Sequence, residues 1–369
     1  MPEIMPPAPP SPADVPDAAC LPTVTVIVPT RNEERFLVKC LDSIVATDYP
    51  VDRLEVLVAD GRSEDRTREI VAEYAARHPW IRLIDNPGRI APTALNRGIA
   101  EARGDVIVRM DSHALYPTDY LRRLVSALLE TGADNVGGCL VTLPVDDTPV
   151  ARAIALGISH PFGVGNSYFR IGARTRRWVD TVPFGCFRRD VFDRVGTFDE
   201  ELVRNQDDEF NFRIVRRGGR VLLDPTIVAS YYARRSLGEL SRMFYQYGYF
   251  KPLVARKVGR VMTLRQLVPA GLLLFVALAV VVALVAPRAA LPLGAVLAQY
   301  LAVLVFATVR AAHLYGPRTV LALFMIFPTI HACYGFGFLR GAWDVLRGHR
   351  RHPQSVPRTL SVAADAGKL

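Results

Sequence analysis

The chain has 369 residues and a formal net charge of +9, and half of its residues are hydrophobic. This length exceeds that of one average domain, and the composition changes near residue 265 from mixed to strongly apolar, which predicts two unlike parts. Much of the basic excess lies beside the apolar stretches, as in membrane proteins that keep their positive segments in the cytoplasm. We therefore expect membrane lipids, and no nucleic acid, as partners.

The N-terminal segment, residues 1–22, is rich in proline and lacks the apolar core of a signal peptide, so we expect a disordered tail. The five cysteines have no paired spacing of the kind that holds zinc, and they indicate no disulfide framework. Both observations favour a reducing compartment and a cytoplasmic location for the mixed first part of the chain.

Strand and helix patterns alternate through the next part of the chain. Short runs rich in β-branched residues at 23–28, 54–59 and 81–84 are each followed by a loop and by apolar residues at helical spacing, and a fourth run ends at Met110. This alternation predicts an α/β fold with a doubly wound, mostly parallel sheet. Ligands of such sheets bind beyond the carboxyl ends of the strands.

Polar residues stand at three of these strand ends, namely residues 29–33, Asp60 and Asp111. In the tripeptide Asp111-Ser-His113 a carboxylate and an imidazole follow a buried strand, which suits a site for a metal-bound diphosphate. An aspartate after a strand also commonly caps a turn, and the tripeptide alone does not separate the two interpretations.

The pattern is less regular beyond residue 136. The pair Gly137-Gly138 indicates a break, residues 166–181 read as a basic loop or hairpin, and helical patterns occupy 191–195 and 210–217. A further helix opens with a capping box at Ser236.

That helix carries an apolar stripe, and Pro252 should kink or stop it. Its aromatic and basic residues favour a position on the membrane surface, and an ordinary helix packed on the domain is the alternative.

Three long apolar stretches follow, at 267–286, 289–309 and 320–339, each about the length of a membrane-spanning helix. The first has no charge, whereas Pro328 and His331 interrupt the third, which could be a broken or re-entrant segment. Basic residues flank the whole region on both sides, which requires an even number of crossings if both flanks are cytoplasmic. Three stretches conflict with that requirement, and the sequence does not resolve the conflict.

Four short motifs occur in order along the first part of the chain: Pro29 to Glu34, Asp60 to Asp65, Asp111 to His113 and Gln206 to Glu209. Together they resemble the inverting family 2 glycosyltransferases, which have a GT-A fold, and the membrane-tailed, succinoglycan-type enzymes of bacterial exopolysaccharide assembly are most similar. The resulting boundaries are 1–22 for the tail, 23–235 for the GT-A domain, 236–265 for an interface helix region, 266–340 for two to three transmembrane segments and 341–369 for a basic tail.

The resemblance implies a nucleotide-sugar donor held at the strand ends. A carboxylate such as Asp60 would accept hydrogen bonds from base or ribose, and Arg89 would pair with a phosphate. A turn or helix-cap role for Asp60 and a solvated loop position for Arg89 are the alternatives. The residues expected to hold the donor are Pro29, Thr30, Asn32, Glu33, Asp60, Arg89, Asn96 and Asp111.

Asp111 matches the first acid of the family's Asp-x-Asp metal motif, and His113 stands where the second acid usually is. The implied cofactor is Mn2+ or Mg2+, which neutralises the leaving diphosphate, and an imidazole ligand is better tolerated by Mn2+. His113 could instead contact the metal through water or only hold Asp111 in place.

The segment Gln206 to Glu209 resembles the family's Glu-Asp-x-Asp-Leu-x-x-Arg element, and counting back from Arg213 places the catalytic base at Asp207. The resemblance places Gly185, Gln206 and Asp208 on the acceptor side. The alternative is an acidic first turn favoured by the helix dipole.

The expected function is transfer of a hexose, from a UDP-sugar in the first instance, to a polyprenyl-diphosphate-linked saccharide at the inner membrane by a multi-pass protein with a cytoplasmic catalytic domain. The lack of the processive relatives' Gln-rich motif favours addition of single sugars. Two rivals are a nucleotidyltransferase, whose glycine-rich phosphate loop is missing, and an inactive relative that scaffolds a glycan-assembly complex.

Overall fold

The computed structural model of the protein describes residues 21–261 and 263–348. Most of the expected N-terminal tail and of the basic C-terminal tail lies outside the described residues. The described chain forms two compact units, which we call the sheet unit, residues 21–141 and 172–231, and the helical unit, residues 142–171 and 232–348.

The sheet unit alternates strands and helices in its first half and mixes them in its second. Its elements are β1 (Val24–Thr30), α1 (Glu34–Val45), β2 (Leu54–Asp60), α2 (Thr67–Arg77), β3 (Ile81–Asp85), α3 (Ala91–Glu101), β4 (Val106–Arg109), β5 (Ala114–Leu115), α4 (Tyr120–Thr131), β6 (Asn135–Leu143), β7 (Arg177–Trp178), β8 (Cys186–Arg188), α8 (Asp190–Val195), α9 (Gln206–Arg216) and β9 (Val221–Tyr232).

The parallel half of the sheet has the strand order β3-β2-β1-β4. At its centre Val26 of β1 lies between Val56 of β2 and Val108 of β4, and none of the three is exposed to solvent. Helices α1 to α3 connect successive strands and bury their apolar faces, as parallel strands with helical crossovers require. The prediction of an α/β, doubly wound, mostly parallel sheet is confirmed.

The other half of the sheet is antiparallel, with β8 between β4 and β6 and with β5 and β7 both paired to β9. The break predicted at Gly137-Gly138 is wrong, because both glycines lie inside the continuous strand β6. A side chain on Gly138 would meet the carbonyl oxygen of Ile227 at 2.1 Å, so glycine is required there by the close approach of β9.

The helical unit contains helices of very different length. They are α5 (Pro149–Gly157), α6 (Pro161–Val164), α7 (Tyr168–Ile171), α10 (Leu237–Val258), α11 (Val268–Val285), α12 (Leu291–Tyr315) and α13 (Pro317–Leu346). Of these, α11, α12 and α13 are long and apolar enough to cross a membrane.

Two of the expected interruptions do not occur. Helix α10 continues through Pro252, and α13 continues through Pro328, so the predicted stop at Pro252 and the broken third stretch are both wrong, while a kink at Pro252 stays a prediction. Packing explains why α10 continues through Pro252. The helix lies against α13 on both sides of the proline, at Tyr249 before it and at Arg256 after it. The predicted cap is confirmed, since Ser236 accepts a hydrogen bond from the amide of Glu239 at 3.2 Å.

Helices α10 and α13 approach each other at glycines. Side chains built on Gly337 and Gly341 of α13 would lie 2.1 Å from the carbonyl oxygens of Tyr245 and Tyr249, and one built on Gly248 of α10 would lie 2.0 Å from that of Tyr334. Small residues four positions apart let two helix backbones come this close. Leu240, Met243 and Phe244 of the apolar stripe of α10 are buried, whereas Leu237 at its start is exposed.

Candidate functional site

The predicted donor residues at the ends of β1 and β2 lie side by side. Thr30 closes β1 and Asp60 closes β2, and the two are register partners in the parallel sheet. The loops that follow are joined by hydrogen bonds, since the amide of Asn32 donates to Ser63 and that of Glu33 donates to Thr67, both at 2.8 Å. The two loops therefore form one ordered surface at the carboxyl edge of the sheet, next to Pro29 and Thr30 at the end of β1.

Asp60 is fully buried, and its carboxylate is occupied within its own loop. It accepts hydrogen bonds from the hydroxyl and amide of Ser63 and, at 2.8 Å, from the guanidinium of Arg68. Arg68 also bridges to Asp85 at 2.8 Å. The turn role that the sequence left open for Asp60 is therefore present, and its contact with a nucleotide stays a prediction.

Arg109, the last residue of β4, joins the two carboxylates on which the chemistry was expected to rest. Its Nε and Nη2 donate to the two oxygens of Asp111 at 2.8 and 3.0 Å, and its Nη1 lies 2.7 Å from both oxygens of Asp207. Arg109 is only 8% exposed, and its amide donates to the carbonyl of Gly185. One buried cation thus brings together residues that are far apart in the sequence.

The two carboxyl groups respond differently to this shared cation. Burial is the largest influence on Asp207 and raises its pKa; Arg109 opposes the rise, while the charges of Asp111 and Asp208 add to it. Burial also disfavours the Asp111 carboxylate, but the charge and hydrogen bonds of Arg109 outweigh it and lower the pKa of Asp111. Two neighbouring acids with pKa values pushed in opposite directions suit different chemical tasks.

Helix α9 presents Asp207 in its first turn. Asn205, in a left-handed conformation with φ of 63°, turns the chain into the helix, and Asn211 anchors the next turn by accepting a 2.6 Å hydrogen bond from Asn135 of β6. Arg213 pairs with Glu209 and donates to the carbonyls of Val195 and Thr197. These contacts hold α9 in place, and acidic residues in the first turn are also favoured by the helix dipole.

The predicted acceptor-side residues surround this turn. Gln206 is buried at 6% exposure, and Asp208 is partly exposed on the same turn. Gly185 has a packing reason of its own, because a side chain there would meet the ring of Phe187 at 2.4 Å and the Asn135 amide oxygen at 2.5 Å. Space for an incoming sugar at Gly185 stays a prediction.

His113 lies beside the Asp111 carboxylate, with which it interacts electrostatically. Its Nδ1 is buried and lies 3.2 Å from Oε1 of Glu33, without the alignment of a hydrogen bond, and its ring meets Tyr231 edge to face. Within residues 21–261 and 263–348, no three His, Cys, Asp or Glu side chains cluster closely enough to form a complete metal site. An imidazole nitrogen without a hydrogen bond, beside a carboxylate, does fit a divalent cation that takes its other ligands from a substrate.

The amide of Asn96 is bonded within the protein. Both ends of its amide bond the backbone of Phe198 at 2.9 Å, and its nitrogen also reaches Glu200. The side chain thereby fixes the loop that leads towards α9, and its support of a nucleotide stays a prediction. Arg89 follows β3 in a left-handed conformation with φ of 60°.

Positive φ angles in non-glycine residues mark the same edge of the sheet. Within the described residues there are five: Asn32, Arg62, Arg89, Phe184 and Asn205. The first three follow β1, β2 and β3, and the other two precede β8 and α9. Such conformations are unfavourable for bulky side chains and concentrate at functional sites.

Sequence reasoning missed Arg109 and the Glu33–His113 contact. The signal for Arg109 was a charged residue at the end of an otherwise apolar run in a sheet buried on both faces, where a charge needs a partner. The partner across the chain, Asp207, could not be read from spacing.

Comparison with known proteins gives a consistent result. Residues 25–196 match the family model described as glycosyl transferase family 2. The chain is 30% identical over 324 residues to the succinoglycan biosynthesis protein ExoA of Rhizobium meliloti, covering 87% of this chain and 96% of that protein.

A second relative has a more specific printed activity. The chain is 26% identical, over 86% of its own length and 96% of the relative, to the dolichyl N-acetyl-alpha-D-glucosaminyl phosphate 3-beta-D-2,3-diacetamido-2,3-dideoxy-beta-D-glucuronosyltransferase of Methanococcus voltae. Among solved structures, the mannosyltransferase PcManGT of Pyrobaculum calidifontis, in complex with GDP-Man and Mn2+, superposes with a TM-score of 0.54 at 23% identity, covering 89% of each chain. This likeness shows the GT-A fold.

Proposed function

Because the chain belongs to glycosyltransferase family 2, we propose that it is a membrane-anchored inverting enzyme that moves a hexose from a nucleotide-sugar, a UDP-sugar in our proposal, to a polyprenyl-diphosphate-linked saccharide. The product would belong to exopolysaccharide or cell-surface glycan biosynthesis. The names of the two relatives, one in succinoglycan biosynthesis and one acting on a dolichyl phosphate sugar, support this acceptor class.

The observation that carries the proposal is the shared contact of Asp111 and Asp207 with Arg109. Inversion requires an acceptor hydroxyl to attack the anomeric carbon from the face opposite the diphosphate, while a carboxylate removes the hydroxyl proton. Asp207 is the more accessible of the pair, with 28% of its side chain exposed against 16% for Asp111. Its raised pKa brings it closer to the value that an effective general base needs.

Arg109 is a positioning residue in this mechanism. Its planar fork fixes the direction of Asp111 through two parallel hydrogen bonds and holds Asp207 with its remaining nitrogen. Against the burial that raises the pKa of both carboxyl groups, the charge of Arg109 also lowers it.

Asp111 and His113 would hold Mn2+ or Mg2+, and the other ligands would come from the substrate. The bound ion would offset the negative charge that develops on the departing nucleoside diphosphate. The loops after β1 and β2, with Pro29, Thr30, Asn32, Glu33 and Asp60, would enclose base and ribose.

The proposed location is the inner membrane, with the sheet unit on the cytoplasmic side where nucleotide-sugars are made available. Three candidate membrane helices support membrane attachment. Attachment keeps the enzyme beside its lipid-linked acceptor and so raises the local concentration of that substrate.

The test is donor turnover by the purified full chain in nanodiscs, with UDP- and GDP-sugars screened in the presence of Mn2+, Mg2+ or chelator. We expect chelator-sensitive release of nucleoside diphosphate and transfer to a lipid acceptor. Asp207→Asn should lower transfer by about 10²- to 10⁴-fold with donor binding nearly intact. As a matched control, Asp193→Asn removes an exposed carboxylate from α8 and should behave as wild type.

A second variant tests the donor side. Asp111→Ala should weaken metal-dependent donor binding as well as transfer, and equal donor affinity in this variant and wild type at saturating Mn2+ would contradict the metal assignment. If every donor stays intact even with native lipid extract supplied as acceptor, the inactive scaffold becomes the better account of the chain.

A further inference from the structure

The packing of the helical unit helps to decide how many of its three apolar helices cross the membrane, because basic residues on both flanks require an even number of crossings. We propose that only α11 and α12 cross the bilayer, and that α13 lies in the membrane interface on the side from which α11 enters, so that the C-terminal segment returns to that side. This inference rests on the membrane attachment proposed above, and it is independent of the sugar, the acceptor and the reaction.

The three helices are buried to different extents within the protein. In the most apolar windows of α11 and α12, 11% and 6% of the residues are buried, whereas the figure for α13 is 39%. The mean hydropathy of α13 is also the lowest, at 1.6 against 2.9 and 2.0. Helices α11 and α12 thus expose most of their surface, as helices surrounded by lipid do, whereas α13 buries one face against its neighbours.

The middle of α13 packs on α5 and α6. A side chain on Gly157 would meet Ile326 at 2.5 Å, the ring of Phe162 contacts that of Phe327 edge to face, and the carbonyl of Phe162 lies 2.7 Å from Nε2 of His331. The polar ring of His331 is thus satisfied by a backbone group of α6 and by the hydroxyl of Tyr300 at 3.0 Å.

The last part of α13 packs on α10. The glycine contacts at Gly337 and Gly341 are followed by a 2.8 Å hydrogen bond from the Tyr249 hydroxyl to Asp344. Asp344 is 5% exposed and also pairs with Arg340. Because this buried carboxylate is bonded to α10, the last part of α13 lies at the same depth in the membrane as α10.

Helices α5 and α10 each follow a strand of the sheet after a short connection. Only residues 144–148 separate β6 from α5, and only 233–236 separate β9 from α10. Such connections extend at most roughly 18 Å, which is too short to cross a hydrocarbon core of about 30 Å. The charges of Arg152 on α5 and of Arg242 and Lys251 on α10 oppose deep immersion of either helix in lipid.

The length of these contacts argues against α13 as a span. Its contacts with α5, α6 and α10 run from Ile326 to Val345, which is roughly 28 Å of helix at about 1.5 Å per residue. The rest of the helix, residues 317–325, extends roughly 13 Å, less than half of the hydrocarbon thickness. The remaining face of α13 exposes Met325, Phe336 and Trp343, as expected of a helix lying along lipid.

Charge agrees with two crossings. With α11 leading out and α12 leading back, Arg310 and Arg318 lie on the same side as the basic residues before α11 and after α13. Arg288, between α11 and α12, is then the single basic residue of the described chain on the far side. This distribution obeys the positive-inside rule, which a third crossing would violate at the C-terminal flank.

The test is the sidedness of three alanine-to-cysteine variants in the full chain, in a background with serine at positions 20 and 333. Ala76 is exposed on α2, Ala289 is exposed between α11 and α12, and Ala363 lies in the C-terminal segment beyond the described residues. Cys40, Cys139 and Cys186 are buried and can be left in place. Labelling uses a membrane-impermeant maleimide on sealed vesicles of known orientation, with detergent-opened vesicles as the reference for complete labelling.

We expect A76C and A363C to label from one side and A289C from the other. Labelling of A363C from the side of A289C would overturn the proposal in favour of three crossings, and labelling of A289C from the side of A76C would overturn it because α11 would not cross. A C-terminal alkaline phosphatase fusion of the full chain provides an independent measurement, and high phosphatase activity in a bacterial host would also refute the proposal. The labelling does not use sugar transfer, so failure of the proposed function leaves this test intact.

Discussion

The sheet unit and the helical unit bring different groups into close contact. In the sheet unit, buried charged groups meet each other, as where Arg109 binds Asp111 and Asp207. In the helical unit, backbones meet at glycines, as where Gly337 and Gly341 admit α10. Substitution of Arg109 should therefore alter charge and chemistry, whereas substitution of these glycines should alter packing alone.

The largest effect is expected at Arg109. Arg109→Met leaves two carboxylates close together without a buried counter-charge, and removal of one partner from a buried ion pair costs roughly 3–5 kcal/mol of stability. We expect this loss in urea unfolding, together with loss of transfer. Arg109→Lys keeps the charge but not the fork, and it should fold while turnover falls roughly 10- to 100-fold.

The Arg109 pair of variants separates a positioning role from a merely structural one. If Arg109→Lys has the stability and also the turnover of the wild type, the fork geometry has no catalytic importance. A change in turnover that leaves donor KM unaltered would instead tie the effect to the orientation of Asp207.

A smaller effect is expected in the helical unit. Gly341→Ala places a methyl group 2.1 Å from the carbonyl oxygen of Tyr249, and overpacking of this kind costs about 1–3 kcal/mol. We expect a lower melting temperature in detergent. Size-exclusion chromatography of heated samples measures it. Donor hydrolysis at temperatures below the transition should be unchanged, because no charge near Asp111 or Asp207 is altered.

Gly294→Ala is the matched control, since a side chain at this position of α12 would meet nothing within 4 Å. Alanine is the better helix former by about 1 kcal/mol, so this variant should be neutral or slightly stabilising. Equal destabilisation by both substitutions would show that close approach of α10 and α13 is not what requires glycine at Gly341.

The smallest effect concerns pH and a charge pair in the sheet unit. Burial opposes ionisation of Glu55, but hydrogen bonds from Arg82, Thr25 and the Arg103 amide lower its pKa below the ordinary 4.5. A pKa lowered by folding adds stability at pH values above the ordinary pKa, and this stability is lost as the pH falls through the lowered value.

Glu55→Gln should therefore destabilise the protein by about 1 kcal/mol at pH 7, with a smaller difference from wild type below about pH 4. Urea unfolding at a series of pH values measures this, with Glu73→Gln on the exposed face of α2 as control. A difference that stays constant down to pH 3 would assign the effect to packing.

Much of the sheet unit could be predicted because its strands and helices follow patterns between residues that are close in the sequence. Alternating β-branched runs and helical spacings predicted the parallel strands, and the rule that ligands bind at carboxyl ends placed Asp111 and residues 29–33 on one edge. The stop predicted at Pro252 and the break predicted at Pro328 were wrong, because contacts between distant helices outweigh the local preference of proline to end a helix.

The candidate site could be predicted only in part. Asp111 and Asp207 were found through short motifs, but their common partner Arg109 was not, since nothing in the spacing of residues so distant in the chain encodes an ion pair. The same holds for Asn96, whose bond to the Phe198 backbone depends on how a loop returns to α3.

The five left-handed residues around the sheet edge set a limit on engineering for heat tolerance. Exchange of a bulky residue such as Arg62 for glycine relieves about 1–2 kcal/mol of backbone strain, so a search for thermostable variants should select such exchanges early. The same exchanges loosen the loops that would enclose the donor. Thermal stability and turnover would then place opposite demands on the same few positions. A variant selected only for stability at high temperature would be stable but poorly active.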